Sequence, residues 1–363
     1  MKPCKIIISG GGTGGHIYPA LAIAEQLQQH HWVGELLFVG ALGRMEMELI
    51  PKAGFPIRGL WIDGIQRKLS LRNLAFPFKL VWSLLQATWL LLRFQPKVVV
   101  GTGGFASGPL VFIASLFNIP TLIQEQNSYP GITNKLLGKR AKKVAVAYDN
   151  MDRFFPKETI VRTGNPIRNT INSNAIPSAK AKAFFNLNTE QKTLVVLGGS
   201  LGAQTINALI ATHCTYFQQQ NIQLLWQCGR QYYEQYKSLE HPQCKILPYV
   251  EAMDQLYAAA DLIISRAGAG TLAELCIAAK PCILIPSPNV AENHQWHNAQ
   301  ALEQQNAALC LEEKNAEAQF KSVFEWLWNN TEQQRLMQQQ LQQLARPQAA
   351  KAVVAEIKSI AGV

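Results

Sequence analysis

The chain has 363 residues, of which 48% are hydrophobic and 16% charged, so it suits two globular domains and excludes a largely disordered protein. Its seven cysteines include no CxxC pair, which argues against a disulfide framework and against a zinc site. The net charge of +10 comes from the first half, where residues 1–163 hold 19 Lys and Arg against 9 Asp and Glu. The first residues have too short an apolar run for a signal peptide, which predicts a protein of a reducing, cytosolic compartment.

Six short apolar runs, separated by helix-length segments, predict the strands of the first half. In chain order they are KIIIS, ELLFVG, PIRGLW, KVVVG, PTLIQ and KKVAVA. Continuous runs of Val, Ile and Leu are typical of parallel strands buried on both faces.

A glycine cluster, GGGTGGH at residues 10–16, follows the first strand and opens a helix. Glycine lets the backbone approach an anion closely, and the amides at a helix start attract phosphate. The Gly10-x-Gly12-x-x-Gly15 spacing fits a dinucleotide loop, but the acid expected at the end of the second strand is absent, since the next one, Glu46, already lies in a helix. No GK[ST] follows any glycine loop, so an ATP loop is excluded as well. His16 is either a helix-start residue or a neutral base, because a helix N-terminus disfavours protonated imidazole.

A second segment of the first half contains no acidic residue between Asp63 and Glu125. There Arg67, Lys68, Arg72, Lys79, Arg93 and Lys97 are interleaved with Trp82, Trp89 and other bulky apolar residues. The apolar run 80–94 is shorter than the roughly 20 residues of a spanning helix. No nucleic-acid signature is present, so this pattern favours an interfacial helix on an anionic membrane over nucleic-acid binding. A helix packed on the sheet with a basic edge is the alternative.

A polar, proline-containing stretch at 163–192 predicts a linker, and a second strand series follows it. That series reads TLVVLGG, IQLLWQCG, CKILPYV, DLIIS, PCILIPS and AALCLEE. The whole pattern predicts an α/β protein of two doubly wound, Rossmann-like domains facing across a cleft. We assign residues 1–163 to the first domain and 164–346 to the linker and second domain. The glutamine-rich end predicts two amphipathic helices split at Pro347, of which the last, within 347–363, packs back towards the first domain.

A further motif, in the second half of the chain, suggests a nucleotide-sugar. Glycine loops also occur at 101–109 and 198–204, and the run SRAGAGTLAEL turns through Gly268 and Gly270 into a helix that carries Glu274. A helix start aimed at phosphates, followed by a carboxylate for sugar hydroxyls, suits such a ligand, although Glu274 could instead cap the helix. In ENHQWHNAQAL, either helix capping or ligand contact would explain His294, Gln295 and Asn298.

Seven motifs in this order resemble the MurG family of peptidoglycan glycosyltransferases. They are GGTGGH, GTGGFASGP, QEQNSYPGITN, TGNPIR, GGSLGAQ, RAGAGTLAE and NHQWHNA, and they extend from about residue 6 to 308. The resemblance implies a GT-B fold and a metal-independent, inverting transfer without cofactor. The donor would be UDP-N-acetylglucosamine, and the acceptor the 4-hydroxyl of an undecaprenyl-diphospho-muramoylpentapeptide. It also implies a peripheral enzyme on the cytoplasmic face of the inner membrane, with other cell-wall synthesis proteins as possible partners.

The resemblance also implies a set of site residues. Thr13, Gly14 and Gly15 would lie near the donor and the acceptor diphosphate, and Asn127 and Arg168 would reach the donor. Ser200 would approach the UDP phosphates, Val250 would bracket uracil, and Gln295 would contact the donor sugar. Helix-start amides would come from Ala269, Gly270, Thr271, Leu272 and Ala273, and Glu274 would hold the ribose. His16 would be the base that deprotonates the acceptor, with Glu125 as second candidate.

Two positions depart from the family pattern. Gln124 stands where the family usually has histidine, which argues against a role for an ionisable group at this position. Phe105 stands where tyrosine is frequent. Two alternatives remain open, namely a GT-B glycosyltransferase with another acceptor and a non-catalytic nucleotide-sugar-binding subunit that recruits a partner to the membrane. The presence of both His16 and Glu125 argues against the second.

Overall fold

The computed structural model describes residues 3–64, 75–167, 171, 176–199 and 201–363. The chain divides into two compact units: unit 1 is Met1–Arg168 with Pro347–Val363, and unit 2 is Asn169–Arg346. Unit 1 thus extends a few residues beyond the predicted 1–163, and the C-terminal segment 347–363 belongs to it.

The described residues form strands and helices in alternation. The strands are β1 (Cys4–Gly10), β2 (Val33–Ala41), β3 (Ile57–Leu60), β4 (Val98–Gly103), β5 (Thr121–Glu125), β6 (Lys143–Val146), β7 (Ile160–Arg162), β8 (Thr193–Leu197), β9 (Gln223–Gln227), β10 (Cys244–Leu247), β11 (Leu262–Ser265), β12 (Cys282–Leu284) and β13 (Leu309–Cys310). The helices are α1 (Gly14–Gln28), α2 (Glu46–Lys52), α3 (Phe76–Phe94), α4 (Ser107–Leu116), α5 (Ile132–Gly138), α6 (Ser178–Phe184), α7 (Gln204–Gln219), α8 (Tyr233–Tyr236), α9 (Met253–Ala259), α10 (Ala269–Ala278), α11 (His294–Glu303), α12 (Ala316–Asn329), α13 (Thr331–Leu344) and α14 (Ala349–Ala361). All twelve predicted strands are confirmed, and β7 is an addition.

Unit 1 is built on a parallel sheet whose order, within the described chain, is β3-β2-β1-β4-β5-β6-β7. Successive strand residues point to opposite faces, so each face has its own core. Ile7 and Val99 face a core that includes Leu90 of α3, Leu110 of α4 and Leu137 of α5. Ile6, Ile8, Val98 and Val100 face the other core, which includes residues of α1 and α14.

The last helix, α14, completes the second of these cores. Val353, Val354, Ile357 and Ala361 recur at helical spacing, and all four are buried in this core. The prediction of two amphipathic helices separated at Pro347 is confirmed, because α13 ends at Leu344 and α14 begins at Ala349.

Unit 2 contains a parallel sheet with the order β10-β9-β8-β11-β12-β13 among its described residues. The predicted linker is partly wrong, because α6 forms inside it and belongs to unit 2. Ala181, within α6, and Phe185, directly after it, are both buried. Lys182, which made the stretch look polar, donates from Nζ to Asp261 Oδ2 at 2.9 Å and is itself buried.

Helices α3, α4 and α5 carry exposed apolar residues on the side away from the core of unit 1. We call this surface the α3–α5 apolar face; its members are Phe78, Val81, Trp82, Leu85, Trp89, Leu92, Phe112, Leu116, Ile132 and Leu136. No helix in the described part of the chain is long and apolar enough to cross a membrane.

Candidate active site

Each sheet has one point at which the strand order reverses direction, between β1 and β4 in unit 1 and between β8 and β11 in unit 2. In open parallel sheets, ligands bind beyond the carboxyl ends of the strands at such a switch point. The glycine clusters at 10–16 and 101–109 begin within the last residues of β1 and β4, and those at 198–204 and 268–270 follow β8 and β11. All four glycine turns therefore lie at the two places where this fold binds ligands.

In unit 1, the loops after β1 and β4 interlock through backbone contacts. Gly11 N donates to Gly103 O at 3.2 Å, and Thr102 Oγ1 donates to His16 O at 2.9 Å. Gly104 has a φ of +90°, and a β-carbon there would lie 2.3 Å from Gly11 O. Glycine is required at this position both for its conformation and for the close approach of the two loops.

His16 lies at the start of α1 with its ring held by the first loop. Its Nδ1 is 2.9 Å from Gly11 O and 3.4 Å from Thr13 Oγ1. A carbonyl oxygen only accepts, so the bond to Gly11 places the proton on Nδ1 and leaves the lone pair of the neutral ring on Nε2. A β-carbon at Gly103 would lie 2.9 Å from Nε2, so glycine makes room for this edge of the ring.

The three residues before His16 form the beginning of α1. Thr13 is the N-cap residue, with an extended backbone, and Gly14 and Gly15 are the first two helical residues. The first amides of a helix have no acceptor within the helix and carry its positive dipole end. The predicted anion-binding residues therefore lie beside His16 at a helix start.

Glu125, the second candidate base, ends β5 and is 1% exposed. Its Oε1 accepts from the backbone and side-chain nitrogens of Asn127 at 2.9 and 3.1 Å, and its Oε2 accepts from Asn134 Nδ2 at 2.8 Å. Burial raises the pKa of this carboxyl, although the amide donors of Asn127, Asn134 and Gly131 act in the opposite direction. This arrangement holds Asn127 in place beside the end of β5.

Gln124, at the position where the family usually has histidine, is fully buried in an amide network. It donates to Asn165 Oδ1 at 3.1 Å and accepts from Gln126 Nε2, while Asn165 Nδ2 donates to Gln126 O at 2.9 Å. The buried side-chain amide of Gln124 thus links the end of β5 to Gln126 and Asn165. Phe105, the other departure, keeps its ring half-exposed against Gly64.

In unit 2, the loop after β8 is also shaped by glycine. Gly202 has a φ of +79°, and a β-carbon there would lie 2.2 Å from Cys228 O. Gln227 Nε2 donates to Gly199 O at 3.0 Å, which ties this loop to the end of β9. Ser200, predicted in the same loop, lies outside the described residues, and so does Arg168.

Helix α10 begins at the second switch-point loop of unit 2. Gly268 is its N-cap residue, so Ala269, Gly270 and Thr271 supply the first helical amides, and Leu272 N already bonds Gly268 O at 3.0 Å. Leu272 is buried and Ala273 half-buried within the helix. The predicted phosphate-facing segment is therefore a helix start, as the motif requires.

Glu274 is held by a residue that sequence reasoning missed. The hydroxyl of Tyr257, on α9, donates to Glu274 Oε2 at 2.8 Å. Tyr257 is fully buried, and burial together with the nearby Glu274 charge raises its pKa well above the ordinary value. The phenol therefore stays protonated and orients the Glu274 carboxylate through this hydrogen bond.

The remaining predicted residues of unit 2 lie on neighbouring loops. Gln295, in the first turn of α11, accepts at Oε1 from Ser287 N at 2.9 Å, which leaves its amide nitrogen as a donor. Val250 is buried in the loop between β10 and α9. Arg266, at the end of β11, donates to Ile285 O at 3.0 Å and pairs with Glu313, so its visible role is structural. Among the residues that the structure describes, no group of three or more His, Cys, Asp or Glu could hold a metal ion.

Comparison with known proteins extends over nearly the whole chain. Residues 6–146 match the glycosyltransferase family 28 N-terminal domain, and residues 193–354 match the glycosyltransferase family 28 C-terminal domain. A protein of Flavobacterium psychrophilum is 49% identical over 98% of both chains, and one of Christiangramia forsetii is 45% identical over 98% of this chain and 97% of its own. Both bear the name UDP-N-acetylglucosamine–N-acetylmuramyl-(pentapeptide) pyrophosphoryl-undecaprenol N-acetylglucosamine transferase.

Among solved structures, Acinetobacter baumannii MurG matches with a TM-score of 0.79 and 29% identity, covering 98% of this chain and 100% of its own. The two parallel-sheet units and their switch-point loops, matched by both family 28 domains, define a glycosyltransferase of the GT-B class. Within that class, the chain belongs to the MurG family.

Proposed function

We infer that this protein transfers N-acetylglucosamine from UDP-N-acetylglucosamine to the muramoyl pentapeptide that is linked through pyrophosphate to undecaprenol. This is the lipid I to lipid II step of peptidoglycan synthesis. The observation that carries the inference is the match of 49% identity, over almost the full length of both chains, to a transferase named for these substrates. The site geometry supports the inference, because unit 1 carries a histidine at a helix start and unit 2 carries a helix start followed by an oriented carboxylate.

In the proposed reaction, the 4-hydroxyl oxygen of the muramoyl sugar attacks C1 of N-acetylglucosamine. The bond from C1 to the UDP oxygen breaks, UDP leaves with the electron pair, and the configuration at C1 inverts. The hydroxyl proton passes to Nε2 of His16, the nitrogen that carries the lone pair when Nδ1 donates to Gly11 O. Thr13, Gly14, Gly15 and Asn127 would position the acceptor diphosphate and the sugars near this base.

Unit 2 would bind the donor. The amides of Ala269, Gly270 and Thr271 would stabilise the negative charge that develops on the departing diphosphate. Glu274, oriented by Tyr257, would accept hydrogen bonds from the ribose hydroxyls, and the amide nitrogen of Gln295 would reach the sugar. Arg168 and Ser200 would add donors for the phosphates, and Val250 would pack beside uracil.

The α3–α5 apolar face would rest on the membrane that holds the lipid acceptor. Soluble proteins rarely expose so many bulky apolar side chains together, and such patches mark interaction sites. Basic groups accompany its rings, because Arg93 lies 5.2 Å from the Trp89 centroid and Arg140 lies 5.7 Å from the Phe112 centroid. Rings edged by arginine suit an anionic lipid surface, so we place the enzyme peripherally on the cytoplasmic face of the plasma membrane. Cell-wall synthesis proteins would be its neighbours there.

The deciding experiment supplies UDP-N-acetylglucosamine and a soluble lipid-linked muramoyl-peptide analogue and follows the release of UDP. We expect turnover by the wild-type protein and a fall in kcat of about 10²- to 10⁴-fold in His16→Ala, because a general base typically contributes that much. Added imidazole should restore part of the lost rate in His16→Ala, since it can occupy the position of the missing ring.

Glu125→Gln is the matched comparison for the identity of the base. It keeps the shape of the side chain, and we expect it to retain more turnover than His16→Ala and not to respond to imidazole. Absence of turnover by the wild-type protein in detergent or lipid would overturn the assignment. Full activity in His16→Ala would overturn the role of the histidine alone.

A further inference from the structure

Glu46, the first residue of α2, is a fully buried carboxylate that bridges two loops of unit 1. Its Oε2 accepts from Gly12 N, in the loop after β1, at 2.8 Å. Its Oε1 accepts from Ala41 N, at the end of β2, at 3.0 Å. One side chain thus ties the first glycine loop to the neighbouring strand end.

The backbone around this carboxylate leaves space for it by means of two glycines. A β-carbon at Gly11 would lie 2.1 Å from Glu46 Oε1, and one at Gly40 would lie 2.5 Å from Glu46 Cγ. Contacts this short cannot exist, so an alanine at either position would displace the carboxylate. Glycine at these two positions is therefore matched to the glutamate.

The charge of Glu46 is met by backbone amides. In the described part of the chain, the two bonds to Gly12 N and Ala41 N are its polar contacts, and no lysine or arginine forms an ion pair with it. A buried carboxylate is costly unless such donors satisfy it. The Gly12 amide is also one that a dinucleotide phosphate would use in a loop of this kind. In this protein, that amide is already occupied by an internal anion.

We propose that Glu46 is a positioning residue for the acceptor loop, acting through the bond that its carboxylate accepts from Gly12 N. The proposal rests on the function inferred above. Gly11 O holds the Nδ1–H of His16, and the next residue, Gly12, is held by Glu46. Fixing Gly12 therefore fixes the carbonyl that sets the tautomer and direction of the His16 ring. The acceptor diphosphate is left with the amides further along, at the start of α1.

The test replaces Glu46 by glutamine, with Glu48→Gln as the matched control. Glutamine has the same shape, but its Nε2 group would face a backbone N–H donor, so one of the two loop bonds is lost. Glu48 is on the same helix and is exposed. We expect kcat of Glu46→Gln to fall on the order of 100-fold, the effect of a small misplacement of a catalytic group. UDP binding, measured by calorimetry, should be unchanged, and Glu48→Gln should behave as wild type.

A spectroscopic measurement separates positioning from general destabilisation. The ¹⁵N imidazole signals of His16, assigned by their loss in His16→Ala, should report the Nδ1–H tautomer in the wild type and in Glu48→Gln. In Glu46→Gln we expect a mixture of tautomers. A single Nδ1–H tautomer together with wild-type kcat in Glu46→Gln would overturn the proposal.

A second variant covers the case in which Glu46→Gln does not fold. Gly40→Ala keeps the carboxylate but pushes it away from the loop, and it should show the same fall in kcat with intact UDP binding. Wild-type kcat in a folded Gly40→Ala would contradict the proposal. Failure of the wild-type enzyme to transfer sugar would instead remove the proposed function, so the two failures are distinguishable.

Discussion

Two buried carboxylates, Glu46 and Glu125, organise the loops of unit 1 by accepting hydrogen bonds from amide groups. They differ in what they hold, because Glu46 fixes the loop that carries His16 and Glu125 fixes Asn127. Burial raises the pKa of Glu125, so the free-energy cost of desolvating its carboxylate exceeds the stabilisation that its amide donors provide. This imbalance has a measurable consequence for stability.

We predict that Glu125→Gln changes the pH dependence of unfolding. The ordinary pKa of this carboxyl is 4.5 and the folded-state pKa is higher, so between the two values the native state binds more protons than the unfolded state. The contribution of Glu125 to stability therefore falls as pH rises through this window. The glutamine variant lacks that contribution. Its free energy of unfolding, relative to that of the wild type, should therefore rise with increasing pH.

Urea unfolding at a series of pH values above 4.5 measures this difference. The exposed Glu158→Gln provides the background for loss of a surface charge. Parallel stability curves for wild type and Glu125→Gln would contradict a raised pKa at this site.

The sequence indicated which single residues to examine but not what holds them. His16 was identifiable because it closes a glycine cluster at a helix start, whereas its tautomer depends on a carbonyl whose direction only the folded loop defines. Tyr257 could not be foreseen, because it reaches Glu274 from another helix and no spacing rule links the two. The sequence placed Glu46 in a helix, too far along the chain to hold a ribose at the end of the second strand. In the structure its carboxylate accepts from Gly12 N in the first glycine loop.

At the level of elements, continuous apolar runs were sufficient to predict strands but not the short or mixed segments. β7 has three residues, none of them buried, so no apolar run marks it. α6 was hidden by its lysines, although Ala181 and Lys182 are buried within it and Phe185 is buried directly after its end. α3 shows the opposite case, since it has apolar residues on both sides, one packed in the core and one exposed.

We predict that the exposed tryptophans of α3 carry membrane binding. The double variant Trp82→Ser, Trp89→Ser should lower the partition onto anionic liposomes by about tenfold or more, because burying a large apolar side chain contributes roughly 1.5–3 kcal/mol. UDP binding should be unaffected, since neither tryptophan is among the residues proposed to contact the donor.

The control for this experiment is Trp326→Ser, on α12 of unit 2. Trp326 is 49% exposed, close to the 52% of Trp82, so it tests for a general effect of losing surface tryptophan. Equal flotation of the double variant and the wild type would remove the α3–α5 apolar face as the membrane contact.

On the scale of the whole molecule, the two units have the same arrangement of their first four strands but different side chains in their loops. Both sheets place their third, second, first and fourth strands in the same succession, so both have a switch point after their first and fourth strands. Alternating strands and helices predicted two such units, and right-handed crossovers limit the strand orders they can adopt. The proposed assignment of the donor to unit 2 and the acceptor to unit 1 was not predictable from topology, because it depends on the side chains of the loops and not on the strand order.

This assignment predicts that UDP acts on unit 2 and leaves unit 1 unchanged. At a UDP concentration 100 times its Kd, binding stabilises the unit that holds it by about 2.7 kcal/mol. Amides of unit 2 that exchange only when that unit unfolds should therefore exchange about 100-fold more slowly, and the starts of α7 and α10 should gain local protection. Hydrogen exchange of the full chain with mass spectrometry measures both units in one sample. Protection in the loop at 10–16 of unit 1, where Glu46 occupies the Gly12 amide, would show that UDP binds the wrong unit for this assignment.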